Sequence, residues 1–285
     1  MPLAPRVWEA EVAAPAGVLY GLLADAARSP LYFPAPVHVE RLTGDGVRDE
    51  WLVWSLTGDA GGDAGPGSGV PGAPGSPRGL VGAGCPVGGT VTLRTEHRVL
   101  DPARRRVGCA AGEWAVEALD GGDRSRVTLT GAYEQAWRDA QDLLTLASHW
   151  ERLDDLVLCF EDSVRVAAPP ARTYGRLAAR AGDWPYRVCF PEAASGRVVG
   201  KRPQAPDALL ATHTGTWTVD PTGLVTVRHH VVLRPGAVRP HLGDAADLGA
   251  ARRVVRESLG RAGEELLASV RREAERSPDP VTHNA

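Results

Sequence analysis

The chain repeats itself. Ala13-Ala14-Pro15, with Tyr20-Gly21 close behind, returns 154 residues later as Ala167-Ala168-Pro169 with Tyr174-Gly175. Arg98-Val99-x-x-Pro102 is echoed by Arg187-Val188-x-x-Pro191, and Gly112-x-Trp114-x-Val116 by Gly215-x-Trp217-x-Val219. Three echoes in one order imply one fold used twice. Two copies are too few for a solenoid, so the sequence predicts two tandem domains, residues 1–155 and 156–285, each of ordinary domain size. Residues that recur at matching places are core or pocket, which narrows the search for function.

The copies are unequal. Pro15 and Gly112 lie 97 residues apart, but their counterparts Pro169 and Gly215 only 46. Part of the difference is the segment 58–89, with thirteen Gly and five Pro in 32 positions. Such a composition cannot bury a core, and we expect a disordered insertion between two strands of the first sheet. The remainder implies that the second copy lacks about two strands between its first helix and Arg187. Neither sheet should then be complete alone, and an open edge needs cover from the sister domain or a second chain.

Within each copy the periodicities repeat. Residues 6–14 read as a strand. Pro15 opens a helix with Val18, Leu19, Leu22, Leu23 and Ala26 at helical spacing, ended by Pro30 and Pro34. Strands are expected at 36–42 and 47–56, joined at Asp45-Gly46, and at 90–100, 113–119 and 126–133. Trp137, Leu144, Ala147, Trp150, Leu153 and Leu156 recur every three to four residues, so one long amphipathic helix is expected over 134–156. The second copy predicts a strand at 156–167 and a helix at 170–181. Strands follow at 187–190, 196–201, 209–219 and 224–234. A final helix over 245–276 should bury Leu248, Val255, Leu259, Ala262, Leu266 and Val270. The class is α+β: two domains, each an antiparallel sheet curved around a long C-terminal helix, with room between sheet and helix for a small molecule.

Bulk properties exclude several functions. A net charge of -3 disfavours nucleic acid or an anionic membrane. No apolar run approaches the ~20 residues of a membrane span, and the N-terminus lacks a secretory layout. Cys85, Cys109, Cys159 and Cys189 show no CxxC spacing and read as reduced thiols of a cytoplasmic chain. His229 and His230 are adjacent on a strand and face opposite ways, so no metal site is expected. No GxGxxG opens a helix after a strand, and there is no GxSxG.

Val37-His38-Val39-Glu40-Arg41-Leu42, His97-Arg98-Val99-Leu100-Asp101-Pro102 and Gly112-Glu113-Trp114 resemble the first half of didomain aromatase/cyclases of bacterial type II polyketide synthesis. The second half resembles them more closely, through Phe160-Glu161-Asp162-Ser163-Val164-Arg165, Asp183-Trp184-Pro185, Arg187-Val188-Cys189-Phe190-Pro191 and Ala211-Thr212-His213-Thr214-Gly215-Thr216-Trp217. The likeness covers most of the chain except 58–89. It departs at two places: the family's Ser-Trp-x-Ser run before the pocket arginine is Leu93-Arg94-Thr95-Glu96, and its Trp-Pro after the first helix is Ser29-Pro30.

The resemblance implies two helix-grip (START-like) domains acting on a poly-β-ketone tethered to an acyl carrier protein, in company with other type II synthase components. The implied activity is first-ring aldol closure and dehydration to an aromatic ring. Such a chain needs no cofactor to cyclise, because its methylenes are already acidic. The protein must fold it, stabilise an oxyanion and move protons. Arg98, which matches the family's pocket arginine, is the first catalytic candidate, for an arginine stays charged in a pocket. Arg187 follows by the echo, and His213 as a proton shuttle. Trp54 and Tyr32 are candidates to line the first pocket against flat rings, and Trp184 matches the family's Trp-Pro. Trp114 and Trp217 read as core. Two other readings stand beside this one: a non-catalytic helix-grip protein that holds an apolar polyketide or another small hydrophobic ligand, and a degraded copy that serves as an assembly partner. A homo-oligomer is compatible with all three.

Overall fold

The computed structural model describes residues 5–56, 91–119, 121–131, 134–181, 184–189, 196–202 and 208–276. The insertion expected at 58–89 lies outside the described residues.

Seven strands form the first sheet: β1 (Arg6–Val12), β2 (Pro36–Gly44), β3 (Arg48–Leu56), β4 (Val91–Asp101), β5 (Arg106–Cys109), β6 (Gly112–Ala118) and β7 (Ser125–Gly131), in the order β1-β7-β6-β5-β4-β3-β2. Every neighbour is antiparallel. The second sheet has five: β8 (Val157–Arg165), β9 (Arg187–Cys189), β10 (Arg197–Lys201), β11 (Leu210–Val219) and β12 (Leu224–Leu233), in the order β8-β12-β11-β10-β9. Laid over each other, the orders match from β1/β8 to β4/β9. Among the described residues the second sheet has no counterparts of β2 and β3. Arg98 on β4 and Arg187 on β9 therefore occupy equivalent strands.

The connections carry the same winding. Helix α1 (Ala16–Ala24) crosses from β1 at one edge to β2 at the other, as α6 (Pro170–Ala181) crosses from β8 to β9. Pro30 does not stop a helix, contrary to expectation. α1 has already ended at Ala24, and Pro30 sits in the first turn of a one-turn helix, α2 (Ser29–Tyr32), where its missing N–H costs nothing. The β2–β3 turn is as predicted. Asp45 accepts from the backbone N–H groups of Val47 (2.8 Å) and Arg48 (2.7 Å), and Gly46 takes φ +93°.

The helix expected over 134–156 is broken into α3 (Glu134–Asp139), α4 (Gln141–Ala147) and α5 (Leu153–Leu156), with a single 3₁₀ turn at Trp150–Arg152. Side chains compete for its carbonyls: Ser148 Oγ donates to the Thr145 carbonyl (2.7 Å), and His149 Nδ1 lies 3.0 Å from the same oxygen. The second long helix is continuous. A short α7 (Val238–Leu242) precedes α8 (Leu248–Glu275), whose N-cap Asp247 accepts from Ala250 N at 2.7 Å. Its buried stripe is Leu248, Ala251, Val255, Leu259, Gly263, Leu267, Val270 and Ala274. Ala262 and Leu266, expected inside, lie one position off this 3.6-residue track.

The halves share one core. Leu19, Leu22 and Trp114 of the first pack in the same cluster as Val231, Leu233, Val255 and Leu259 of the second. A second cluster lies between the smaller sheet, α6 and the end of α8. At the far edge Val37 and Trp54 pack against Cys189 and Val199, so the short strands of one sheet are covered by the other half. Among the described residues no helix is long and apolar enough to cross a membrane.

Candidate functional site

Strand parity builds the site. On β4, Arg94, Glu96 and Arg98 alternate onto one face, and the β3 residues directly opposite are Val53, Trp51 and Asp49. That face, the ends of α1 and α3, and the linker through Phe33, Ala35 and Pro36 enclose a cavity of about 500 Å³ inside the first half. Val107, Cys109 and Trp114 complete its sheet wall, and Ala136 and Asp139 come from α3.

Arg98 is only 6% exposed and forms a fork with Asp49: Nε donates to Oδ1 at 3.0 Å and Nη2 to Oδ2 at 2.7 Å. Nη2 also donates to the Ala24 carbonyl (2.8 Å), and Nη1 to that of Leu23 at 3.5 Å. These are free carbonyls of the last turn of α1, where a cation is favoured. Arg98 thus ties sheet to helix at the cavity edge with four of its five N–H donors. Burial works to raise the Asp49 carboxyl, but its bonds to Arg98 and the guanidinium charge outweigh burial and leave it below the usual carboxylate range.

Two acids accompany Arg98. Glu96 accepts from Arg94 Nη2 at 3.0 Å. Asp139 accepts from Gln135 Nε2 at 2.7 Å, and burial pushes its pKa up against the opposing effects of Gln135 and the charge of Lys201. Burial also raises the Cys109 thiol, which keeps it protonated and a poor nucleophile. The cavity therefore offers an apolar volume, a fixed cation and a carboxyl group whose pKa burial raises.

The other sequence candidates lie elsewhere. Arg187 is half-buried and paired with Lys201 in the sheet ladder, outside the residues that line either main cavity. His213 is fully buried in the second half, with Nε2 3.0 Å from His229 Nδ1 and both ring nitrogens within 3.5 Å of the Tyr186 hydroxyl. Burial, with His229 and Arg202 adding to it, lowers its pKa to about 3. It stays neutral near pH 7, and this setting supports packing, not proton shuttling. Trp184 packs on Trp217 with ring centroids 4.2 Å apart and planes tilted by 38°, and Tyr186 meets Trp217 edge-on at 5.2 Å. Trp217, Trp184, Tyr186, His213 and His229 occupy the part of the second half that corresponds to the first half's cavity. Trp114 and Trp217 are both buried, as expected.

Trp54 points away from the cavity into the contact with Cys189 and Val199, its ring 5.1 Å from His38. Tyr32 lines a different space, a cleft of about 830 Å³ between the halves, bounded by α2, β2 and the outer face of β10–β12. Its arginines are paired: Arg28 with Asp25, Arg197 with Glu40 and Arg228 with Glu161. Glu96, Asp139 and Trp51 were not foreseen. Trp51 depends on the β3–β4 register, while Glu96 was within reach of period-two reasoning, because it shares a strand face with Arg98. Asp139 was not, since it depends on where the broken helix ends.

No protein-family model matches the chain. A granaticin polyketide synthase bifunctional cyclase/dehydratase from Streptomyces violaceoruber is 26% identical over 93% of this chain and 91% of its own length. The actinorhodin polyketide synthase bifunctional cyclase/dehydratase of Streptomyces coelicolor is 25% identical over 87% of this chain and 89% of its own. Two solved structures share the architecture at a TM-score of 0.65 and 23% identity. They are the di-domain ARO/CYC BexL from the BE-7585A pathway, covering 97% of this chain and 100% of its own, and StfQ from the steffimycin pathway, covering 95% and 98%. The sequence likeness to polyketide synthase bifunctional cyclase/dehydratases and the fold likeness to di-domain ARO/CYC structures each extend over most of the chain.

Proposed function

We propose that this chain is a cofactor-independent polyketide cyclase/dehydratase. It directs first-ring aldol closure and dehydration of a poly-β-ketone held on an acyl carrier protein, within a type II polyketide synthase. Its two helix-grip units are 1–155 and 156–285, and the reaction takes place in the cavity of the first. The single observation that carries this assignment is the convergence of Arg98, Glu96 and Asp139 on that cavity, while aromatic rings fill the second half's interior.

The chemistry follows from the groups present. The cavity folds the chain so that one acidic methylene meets one carbonyl, which is proximity and orientation. Asp139, with its raised pKa, takes the methylene proton; the carbanion closes onto the ketone carbon, and the resulting alkoxide takes that proton back from Asp139. Loss of a second methylene proton and of the hydroxyl as water leaves the ring double bond. The remaining Nη1 hydrogen of Arg98 and its fixed charge favour the oxyanion.

Reconstitution with a minimal polyketide synthase and a ketoreductase tests this, with products read by mass and ultraviolet absorption. The wild type should convert misfolded shunt products to one aromatised first ring. Asp139→Asn should slow ring formation by about 10²-fold or more, as for loss of a general base. A folded wild type that leaves the product mixture unchanged but binds an aromatic polyketide tightly would select the holding role instead. The engagement of four Arg98 donors within the protein is the observation that favours that second reading.

A further inference from the structure

Lys201 is the only lysine in the chain, one among 32 cationic side chains. It is 3% exposed. Its ammonium leaves the second half altogether: Nζ donates to the carbonyls of Pro30 (2.7 Å), Phe33 and Pro36 (2.9 Å) in the first half. An ammonium has three donors, and all three are used. Next to it Thr212 Oγ1 donates to the Leu31 carbonyl at 2.7 Å. Two side chains of the second half thus satisfy four carbonyls in a seven-residue stretch that closes α2 and enters β2.

That stretch is a partition. Phe33, Ala35 and Pro36 wall the first half's cavity, while Pro30, Leu31 and Tyr32 wall the cleft on its other side. Between α2 and β2 its residues 33–35 have no regular structure, and its prolines lack N–H groups. Lys201 also acts at a distance on the cavity acid: its charge lowers the Asp139 pKa against burial. Burial lowers the Lys201 pKa to about 7, and the charges that oppose this and favour the ammonium are Asp139 on α3 and Asp142 on α4.

We propose that Lys201 is a positioning residue: from the second half it fixes the 30–36 wall of the first half's cavity, which Asp139 also lines, and places its charge behind that wall. This gives the second half, whose own interior is filled, a part in the reaction. It rests on the cyclase reading above and adds to it which residue completes the site.

The test compares wild type, Lys201→Met and Lys201→Arg in the reconstituted system across pH. Losing a nearby cation raises a carboxyl pKa, so in Lys201→Met the acid limb of the rate profile should move to higher pH. The yield of the single aromatised product should fall about tenfold or more, as displaced reacting groups predict. Lys201→Arg keeps the charge but cannot place three bonds from one nitrogen. It should return the acid limb to its wild-type position while restoring product fidelity only in part. A folded Lys201→Met with wild-type products, or with reduced turnover and an unmoved acid limb, overturns the proposal while leaving the cyclase reading intact. Should the Met variant not fold or the wild type not turn over, wild-type protein labelled with ¹⁵N-lysine gives one Nζ signal whose titration can be followed directly. Asp139→Asn should shift that titration to lower pH, and an unshifted titration overturns the proposal.

Discussion

At the scale of the residue, the position that sequence singled out first has two duties. Arg98 borders the cavity, yet it also neutralises Asp49, which is 8% exposed and among the described residues has no other charge partner in hydrogen-bond contact. Removing one member of such a pair strands a buried charge and costs about 3–5 kcal/mol. Arg98→Met should therefore lower unfolding free energy by that order, measured by urea denaturation, before any effect on chemistry is read. A smaller loss, under about 1 kcal/mol, would mean that the pair is more open to water than its geometry implies. The pH sense is fixed by Asp49. Its folded pKa is depressed, so its stabilisation is complete above the unfolded value of about 3.9 and is lost as pH falls through the folded one. Arg98 stood out from residue type and order, while its echo Arg187 lies on the equivalent strand but outside both cavities. The Asp49 partner did not, because it depends on β3 lying beside β4 in a register that places residue 49 opposite 98.

At the scale of the element, strands were read better than faces. β2, β3, β4 and β8 to β12 fall close to their expected spans, since each alternates or carries a dense β-branched run. β5 was missed because four residues with one fully buried apolar position give no period. Facing was misjudged where a tryptophan drew attention: Trp54 is one residue off the cavity side that Trp51 occupies. The α8 stripe slipped for a related reason, as Gly263 carries no hydrophobic signal yet sits at the closest approach of helix and sheet. A Cβ there would lie 3.2 Å from Val227 Cγ1 and 3.3 Å from His229 Nε2. Gly263→Leu should overpack this seam and destabilise the protein by about 1–3 kcal/mol in denaturant titration. A neutral or stabilising outcome would show that α8 moves freely off the sheet.

At the scale of the whole molecule, two copies behave as one body with divided labour. The count of missing strands was readable from the spacing of echoes, because a repeat fixes what each copy ought to contain. What the short sheet does instead was not readable: β9 and β10 cover the far edge of the first half, and Lys201 reaches across from there. Contacts between halves leave no periodic trace in sequence. The same division separates the two spaces, since the larger cleft holds paired arginines while the smaller cavity also holds Asp139, whose pKa burial raises. The most direct test of the account is therefore to fill each space in turn. Ala136→Phe in the first half's cavity and Thr216→Phe in the cleft would be assayed side by side in the reconstituted synthase, after both are shown to fold. The account predicts that Ala136→Phe abolishes formation of the aromatised first ring and Thr216→Phe leaves it intact; the reverse pattern would contradict it and place the chemistry between the halves.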